Sequence, residues 1–178
     1  MDLRKIYTLI ISAIAVTSVE LYAQPNSLGV VFSFNSVGLS YEHSDTDDNA
    51  IEFSLNARFD DFLNGCQYIA GYDASVVWDI KIGESITSEG NPLKFFAGPG
   101  AIIGMGPDYN EISGLYMGIK GRLGAECTYM NRRITISAYI SPVLGAHITE
   151  KEKTAELDLY DNGLIYALIP EISIKYRF

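Results

Sequence analysis

The chain's last eight residues, EISIKYRF (171–178), alternate strictly between apolar and polar side chains and stop on a phenylalanine. Chain ends are ordinarily the least ordered part of a domain, so an alternating, aromatic-ended terminus predicts a strand that something holds in place. Read backwards, the alternation continues well beyond the quoted stretch. Phe178, Tyr176, Ile174, Ile172, Pro170, Leu168, Tyr166 and Leu164 share one face, and Arg177, Lys175, Ser173, Glu171, Ile169, Ala167 and Ile165 share the other.

The same division recurs upstream. ITISAYISPVLGAHI (134–148) sets Ile134, Ile136, Ala138, Ile140, Pro142 and Leu144 against Thr135, Ser137, Tyr139, Ser141, Val143 and His147. LYMGIKGRLGAECTY (115–129), YDASVVWDIKI (72–82) and IEFSLNARF (51–59) divide in the same way. LKFFAGPGAIIGM (93–105), LGVVFSF (28–34) and VGLSYEH (37–43) bring the number of predicted strands to eight, with no convincing amphipathic helix among them. Strands of globular proteins run to about 5–6 residues, whereas several of these keep one parity for more than a dozen, which suits the ~9–11 residues that membrane barrels need to cross hydrocarbon. The connections alternate too: NRR (131–133) is tight, while TEKEKTAELDLYDNG (149–163) and DDFLNGCQYIAGY (60–72) are long. Short periplasmic turns and long outer loops produce that alternation; the short NS (35–36) is an exception. The predicted fold is all-β, an eight-stranded antiparallel up-and-down transmembrane β-barrel.

At the other end, MDLRK, IYTLIISAIAV and TSVELYAQ read as the basic region, apolar core and cleavage region of a secretory signal peptide over residues 1–23. The barrel domain is then expected over 24–178. Removing 1–23 takes away Asp2, Arg4, Lys5 and Glu20, so the formal net charge stays at −9. A chain so acidic is not expected to bind nucleic acid through its phosphates.

In a soluble barrel the apolar face would point inward, yet eight strands leave an interior only wide enough for side chains or one small ligand, and this face carries Phe, Tyr, Trp, Leu and Ile. The other face suits an interior. A lumen charge network is predicted from Arg58, Asp79, Lys81, Lys94, Lys120, Arg122, Glu126, Glu171, Lys175 and Arg177, with Glu42, Glu52 and Asp73 among the acids on the same face, since buried charges are tolerable when paired. Gly98, Gly100, Gly104, Gly118 and Gly124 share its parity and would leave room for long side chains. On the apolar face, Tyr41, Phe53, Phe95, Tyr129, Tyr176 and Phe178 are expected at the periplasmic rim and Phe59, Tyr72 and Tyr166 at the outer one, as two aromatic girdles.

With this pattern the chain resembles, over roughly residues 27–178, the small eight-stranded outer-membrane barrels of Gram-negative bacteria, of the OmpA/OmpX-like kind. In that class a closing strand with a polar residue, a small residue and two terminal aromatics is read by the barrel-assembly machinery. The resemblance implies that Glu171, Ser173, Tyr176 and Phe178 are this assembly signal, with Ser173 where glycine is commoner. It also implies an integral outer-membrane location.

Other motifs are better explained by structure than by chemistry. His43 and His147 are predicted at opposite ends of the barrel, so a catalytic His–nucleophile–carboxylate cluster would have to recruit Ser141 or a loop acid to His147, and no catalytic residue is assigned. DTDDN (45–49) departs from the calcium-loop pattern at Ala50 and Asn56. GPGAIIGMG (98–106) has no following helix and reads as lumen packing. No metal or cofactor is expected. Cys66 and Cys127 are placed too far apart for a disulfide. Pro99, Pro142 and Pro170 would each remove a ladder hydrogen bond; Pro142 and Pro170 are expected to mark one level, with bulges, near the outer rim.

The function expected is structural or adhesive. The barrel is a monomer with lipid around it, a packed lumen, and outer loops at 60–71, 107–113 and 149–163 that meet an extracellular ligand. A small channel or secretion component, or a lipid-modifying barrel enzyme, are the alternatives.

Overall fold

The computed structural model describes residues 26–178 apart from 47, 61–68, 109–112, 130–132 and 152–153. The expected signal peptide therefore lies outside the described residues, as does Cys66.

Among the described residues, ten strand segments build the wall: β1 (Asn26–Phe32), β2 (Ser36–Thr46), β3 (Asn49–Asp60), β4 (Ile69–Ile86), β5 (Pro92–Pro107), β6 (Ser113–Tyr129), β7 (Ile134–Ile140), β8 (Val143–Lys151), β9 (Thr154–Leu159) and β10 (Glu171–Arg177). Neighbours pair antiparallel from β1 to β6; β7 and β8 both pair with β6, and β10 joins β7 back to β1. These segments occupy eight wall positions, because β7 and β8 form one interrupted strand and β9 and β10 another. The result is a closed eight-stranded antiparallel barrel.

The register gives its stagger. From Gly29 the pairs run through Ser40, Ser54, Ser75 and Ile102 to Gly118; in the other direction they run through Lys175 and Thr135 to Thr128. Both walks end on β6, ten residues apart. With a rise of ~3.3 Å per residue and strands ~4.8 Å apart, a stagger of that size over eight strands tilts them by about 40°.

Alternation along each strand separates an apolar exterior from a polar interior. Leu39, Leu55, Trp78, Ile103, Ile119, Leu144 and Ile174 are exposed, while Glu42, Glu52, Asp73, Asp79, Lys120, Arg122 and Lys175 are buried. A water-soluble protein would reverse this arrangement, so the exterior is built for hydrocarbon. Inside, two glycines give aromatic rings their space: a Cβ on Gly104 would meet the Tyr116 ring at 2.5 Å, and one on Gly124 would meet Phe96 Cζ at 2.9 Å. Two small apolar clusters result, Val31–Phe96–Tyr139 lower down and Ile102–Tyr116–Val143–Tyr160 above.

The closing strand departs from expectation. Residues 164–170 do not continue it; a short helix α1 (Asp161–Ile165) and an irregular segment precede β10, and residues 154–159, expected as loop, form β9 on the edge of β8. Continued upward, the β10 register would set residue 165 opposite Gly145, whereas the β8–β9 register sets Tyr160 there. Five extra residues are thus accommodated between β9 and β10, and helix formation takes them up.

The ladder is interrupted at both expected prolines, though differently. Across Ser141–Pro142 the pairing with β6 resumes in the same register, and Gly121 N still donates to Pro142 O at 2.8 Å, so there is no bulge. Pro170 ends the five-residue insertion just before Glu171. Pro99 stays in register with Gly121 on β6, while the β4–β5 pairs skip Trp78 and Asp79.

Candidate functional site

The lower lumen is filled by a chain of charges brought together from five strands. Lys175 on β10 bridges the carboxylates of Glu42 on β2 and Glu52 on β3, the latter at 2.5 Å. Arg122 on β6 bridges Glu52 at 2.7 Å and Asp79 on β4 at 2.8 Å. Its guanidinium also lies 4.4 Å from the Tyr139 ring centroid. Ser27 adds a hydroxyl to Glu42. Glu52 is 1% exposed. Three carboxylates and two cations are thus packed side by side across the lower lumen.

The upper lumen is organised around tyrosines. Tyr160 stacks on Tyr116 with centroids 4.3 Å apart and 2° between planes. Arg58 Nη1 donates to the Tyr160 hydroxyl at 2.8 Å, and Tyr116 donates to Asp73 Oδ2 at 3.2 Å. Asn56 Nδ2 donates to Asp73 Oδ1 at 2.7 Å. Higher still, Asp108 accepts from the backbone N–H groups of Asp161 and Asn162, anchoring α1 to the end of β5. His147 Nδ1 stands 3.9 Å from Asp108 Oδ2, and its Nε2 is 3.2 Å from the Gly106 carbonyl oxygen.

Between the two layers lies a half-open cavity of about 60 Å³. Lys120, Arg58, Asp73 and Ser141 line it from the lumen; the tip of the β1–β2 hairpin and the segment 162–171 line it from the side. The last wall pair on that side is Phe32–Ile172. Above it no strand of the described residues joins β1 to the closing strand.

Of the residues expected in the lumen network, Arg122, Asp79 and Lys175 form the lower chain, and Arg58 and Lys120 face the cavity. Lys94 and Glu126 are half-buried register partners on β5 and β6, and Glu171 and Arg177 are half-buried at the two ends of β10. Lys81 does not join the network: it reaches Asp48 at 2.5 Å and Glu84 at 3.2 Å on the lower rim, where β4 runs past the turn between β2 and β3. Glu52 and Glu42 are central to the chain, and Tyr160 to the upper layer.

Of the expected girdle, Tyr41, Phe53, Phe59, Tyr72, Phe95, Tyr176 and Phe178 are exposed on the outer face, and Tyr129 is half-buried. Tyr166 is not an outer-rim residue; the helix turns it to line the cavity. In the proposed assembly signal, Ser173 is fully buried against the lumen, Tyr176 and Phe178 point outward, and Glu171 lies at the mouth of the cavity. His43 sits at the lower end, its Nδ1 2.7 Å from Asn26 Oδ1, far along the barrel from His147. Cys127 is a half-buried free thiol.

No protein-family model matches the chain, and no curated protein does. Among solved structures it is similar to Ail, the attachment invasion locus protein of Yersinia pestis, at 12% identity, over 86% of this chain and 93% of that one, with a TM-score of 0.35. A likeness at that level carries no argument about function.

Proposed function

We propose that the protein is a monomeric outer-membrane barrel that acts through its outer surface, as an adhesive or structural element rather than as a pore. The observation that carries this reading is the buried chain Glu42–Lys175–Glu52–Arg122–Asp79 across the lumen. Buried charges locked in ion pairs across the lumen leave little freedom for ions to pass. With the interior occupied, the surface left for a partner is the outer rim. There the β8–β9 hairpin (Val143–Leu159) stands above the low β1–β2 tip and carries Glu156, Leu157, Asp158 and Leu159 exposed. Delivery by the barrel-assembly machinery, with Glu171, Ser173, Tyr176 and Phe178 as its signal, belongs to the same proposal.

The test uses cells that display the chain and a variant in which residues 149–156 are replaced by a short turn. Adhesion to immobilised matrix proteins and glycans is expected from the parent and lost from the variant, while both keep the heat-dependent gel shift of a closed barrel. Equal adhesion, or channel activity of the parent in planar bilayers, would overturn the reading.

A further inference from the structure

The cavity between the two lumen layers presents an unusual lysine. Lys120 is 4% exposed, and among the described residues its Nζ donates one hydrogen bond, to Ser75 Oγ at 3.4 Å. Among the described residues no carboxylate comes within ion-pair distance of it, in contrast to Lys175, which holds two. Asp73 shares the cavity, where its oxygens accept hydrogen bonds from Asn56 and Tyr116 and make no direct ion pair with Lys120. A buried ammonium with no carboxylate in direct contact gives up hydration that a bound oxyanion would replace. Ser141 adds a second signal, because its hydroxyl is buried, lines the same cavity, and has no hydrogen-bond partner among the described residues. Arg58 brings a second cation to the lining, and Glu171 a half-buried carboxylate at the mouth. The space of about 60 Å³ would take roughly two waters or one tetrahedral oxyanion.

The way in is from the side. Ser33, Asn35 and Ser36 at the β1–β2 tip and Tyr166 and Ile169 after α1 border the cavity where the wall has no ladder. Around that gap the exterior is apolar, with Phe32, Phe34, Leu164 and Leu168 exposed and Leu168 the most so at 78%. An acyl chain can lie against such a rim while its head group reaches inward.

We propose that the cavity is an oxyanion site that takes the phosphate group of a membrane amphiphile from the side, with Lys120 and Arg58 as charged donors and Ser141 as a hydroxyl donor. The sideways approach rests on the membrane-barrel reading above; the oxyanion chemistry does not. Free phosphate offers the same chemistry, so the experiment separates the two sources.

The full barrel, refolded in dodecyl maltoside without phosphate buffer, is titrated calorimetrically with dodecyl phosphate and with inorganic phosphate, and binding is followed in parallel by 31P NMR. Saturable binding of dodecyl phosphate is expected, at least tenfold tighter than inorganic phosphate, weakened tenfold or more by Lys120→Gln and about threefold by Ser141→Ala. Equal affinity for the two probes, both lost in K120Q, would keep the oxyanion chemistry and overturn the sideways approach. Binding of neither probe, or affinity unchanged in K120Q, would overturn the site. If K120Q does not give the heat-dependent gel shift, S141A decides, because it removes only a partnerless hydroxyl; unchanged affinity there overturns the proposal. A parent that is soluble without detergent would sink the membrane reading, while the inorganic-phosphate arm still tests the cavity.

Discussion

The lower and upper halves of this barrel solve the problem of a polar interior in different ways. Below, β1, β2, β7 and β10 pair without interruption and the charges inside are shared, each of Lys175 and Arg122 serving two carboxylates. Above, the seventh and eighth wall positions are both interrupted, and the interior is held by a tyrosine stack that reaches in from the irregular segment. A continuous wall fixes opposing side chains at known spacing, so oppositely charged groups can be matched across it. An interrupted wall cannot fix them, and a single large ring fills the space instead. Stability is therefore expected to concentrate below and adaptability above.

The sharpest way to break this comparison is Glu52→Ala. Removing that carboxylate leaves Lys175 and Arg122 as neighbouring buried cations, and breaking a buried pair of this kind costs about 3–5 kcal/mol. A large drop in the urea unfolding midpoint in lipid vesicles is expected, or failure to reach the heat-shifted form. A shift no larger than that of an exposed pair would show that the lower chain does not hold the barrel together.

Two hydroxyl deletions sharpen the contrast between the halves. Tyr160→Phe removes the acceptor for Arg58 Nη1, at 2.8 Å in a residue 1% exposed, and a hydrogen bond to a charged group is worth about 1.5–3 kcal/mol. Tyr139→Phe deletes a buried hydroxyl that has no hydrogen-bond partner among the described residues and leaves the ring under Arg122 in place. It is expected to be neutral or to stabilise by up to about 1 kcal/mol. The same chemical change should thus have opposite consequences in the two layers, read as unfolding midpoints of otherwise identical chains. Equal effects would mean that Arg58 finds another acceptor when Tyr160 lacks its oxygen.

These halves also differ in how much of them could be read from sequence. Period-two alternation assigns a side to every residue of a strand, so Arg122, Asp79 and Lys175 were legible as interior groups, as were the outward Phe53 and Tyr176. Glu42 and Glu52 are legible in the same way, as acids on the face that carries those cations. Alternation gives no account of residues 160–170, because the reason they leave the strand is not local. Five residues too many lie between two registers, and Asp108, from a distant connection, caps the helix that absorbs them. In β9, Leu157 and Leu159 alternate with Asp158 and Tyr160, a strand signal obscured by the charged run before it. Lys81 was misplaced for a different reason: parity gives its side of the wall but not its height, and β4 extends below the lumen.

That rim pair gives the smallest expected effect. Asp48 lies in the turn between β2 and β3, its side chain 63% exposed, with Lys81 Nζ at 2.5 Å. The hydrogen bond from Lys81, followed by its charge, holds the Asp48 carboxyl below its ordinary value. A carboxylate whose pKa is lower in the folded state than in the unfolded one adds stability above the unfolded value, and that contribution fades as pH falls through the folded one. Because the pair is open to water, its contribution should be small and screened by salt. In Lys81→Gln the Asp48 titration, followed by carboxyl 13C NMR in micelles, is expected to move up towards the ordinary range, with the neutral-pH unfolding midpoint barely changed. A midpoint loss approaching that of Glu52→Ala would tie the rim to the buried chain and remove the distinction between exposed and shared charges on which the lower half's stability is argued.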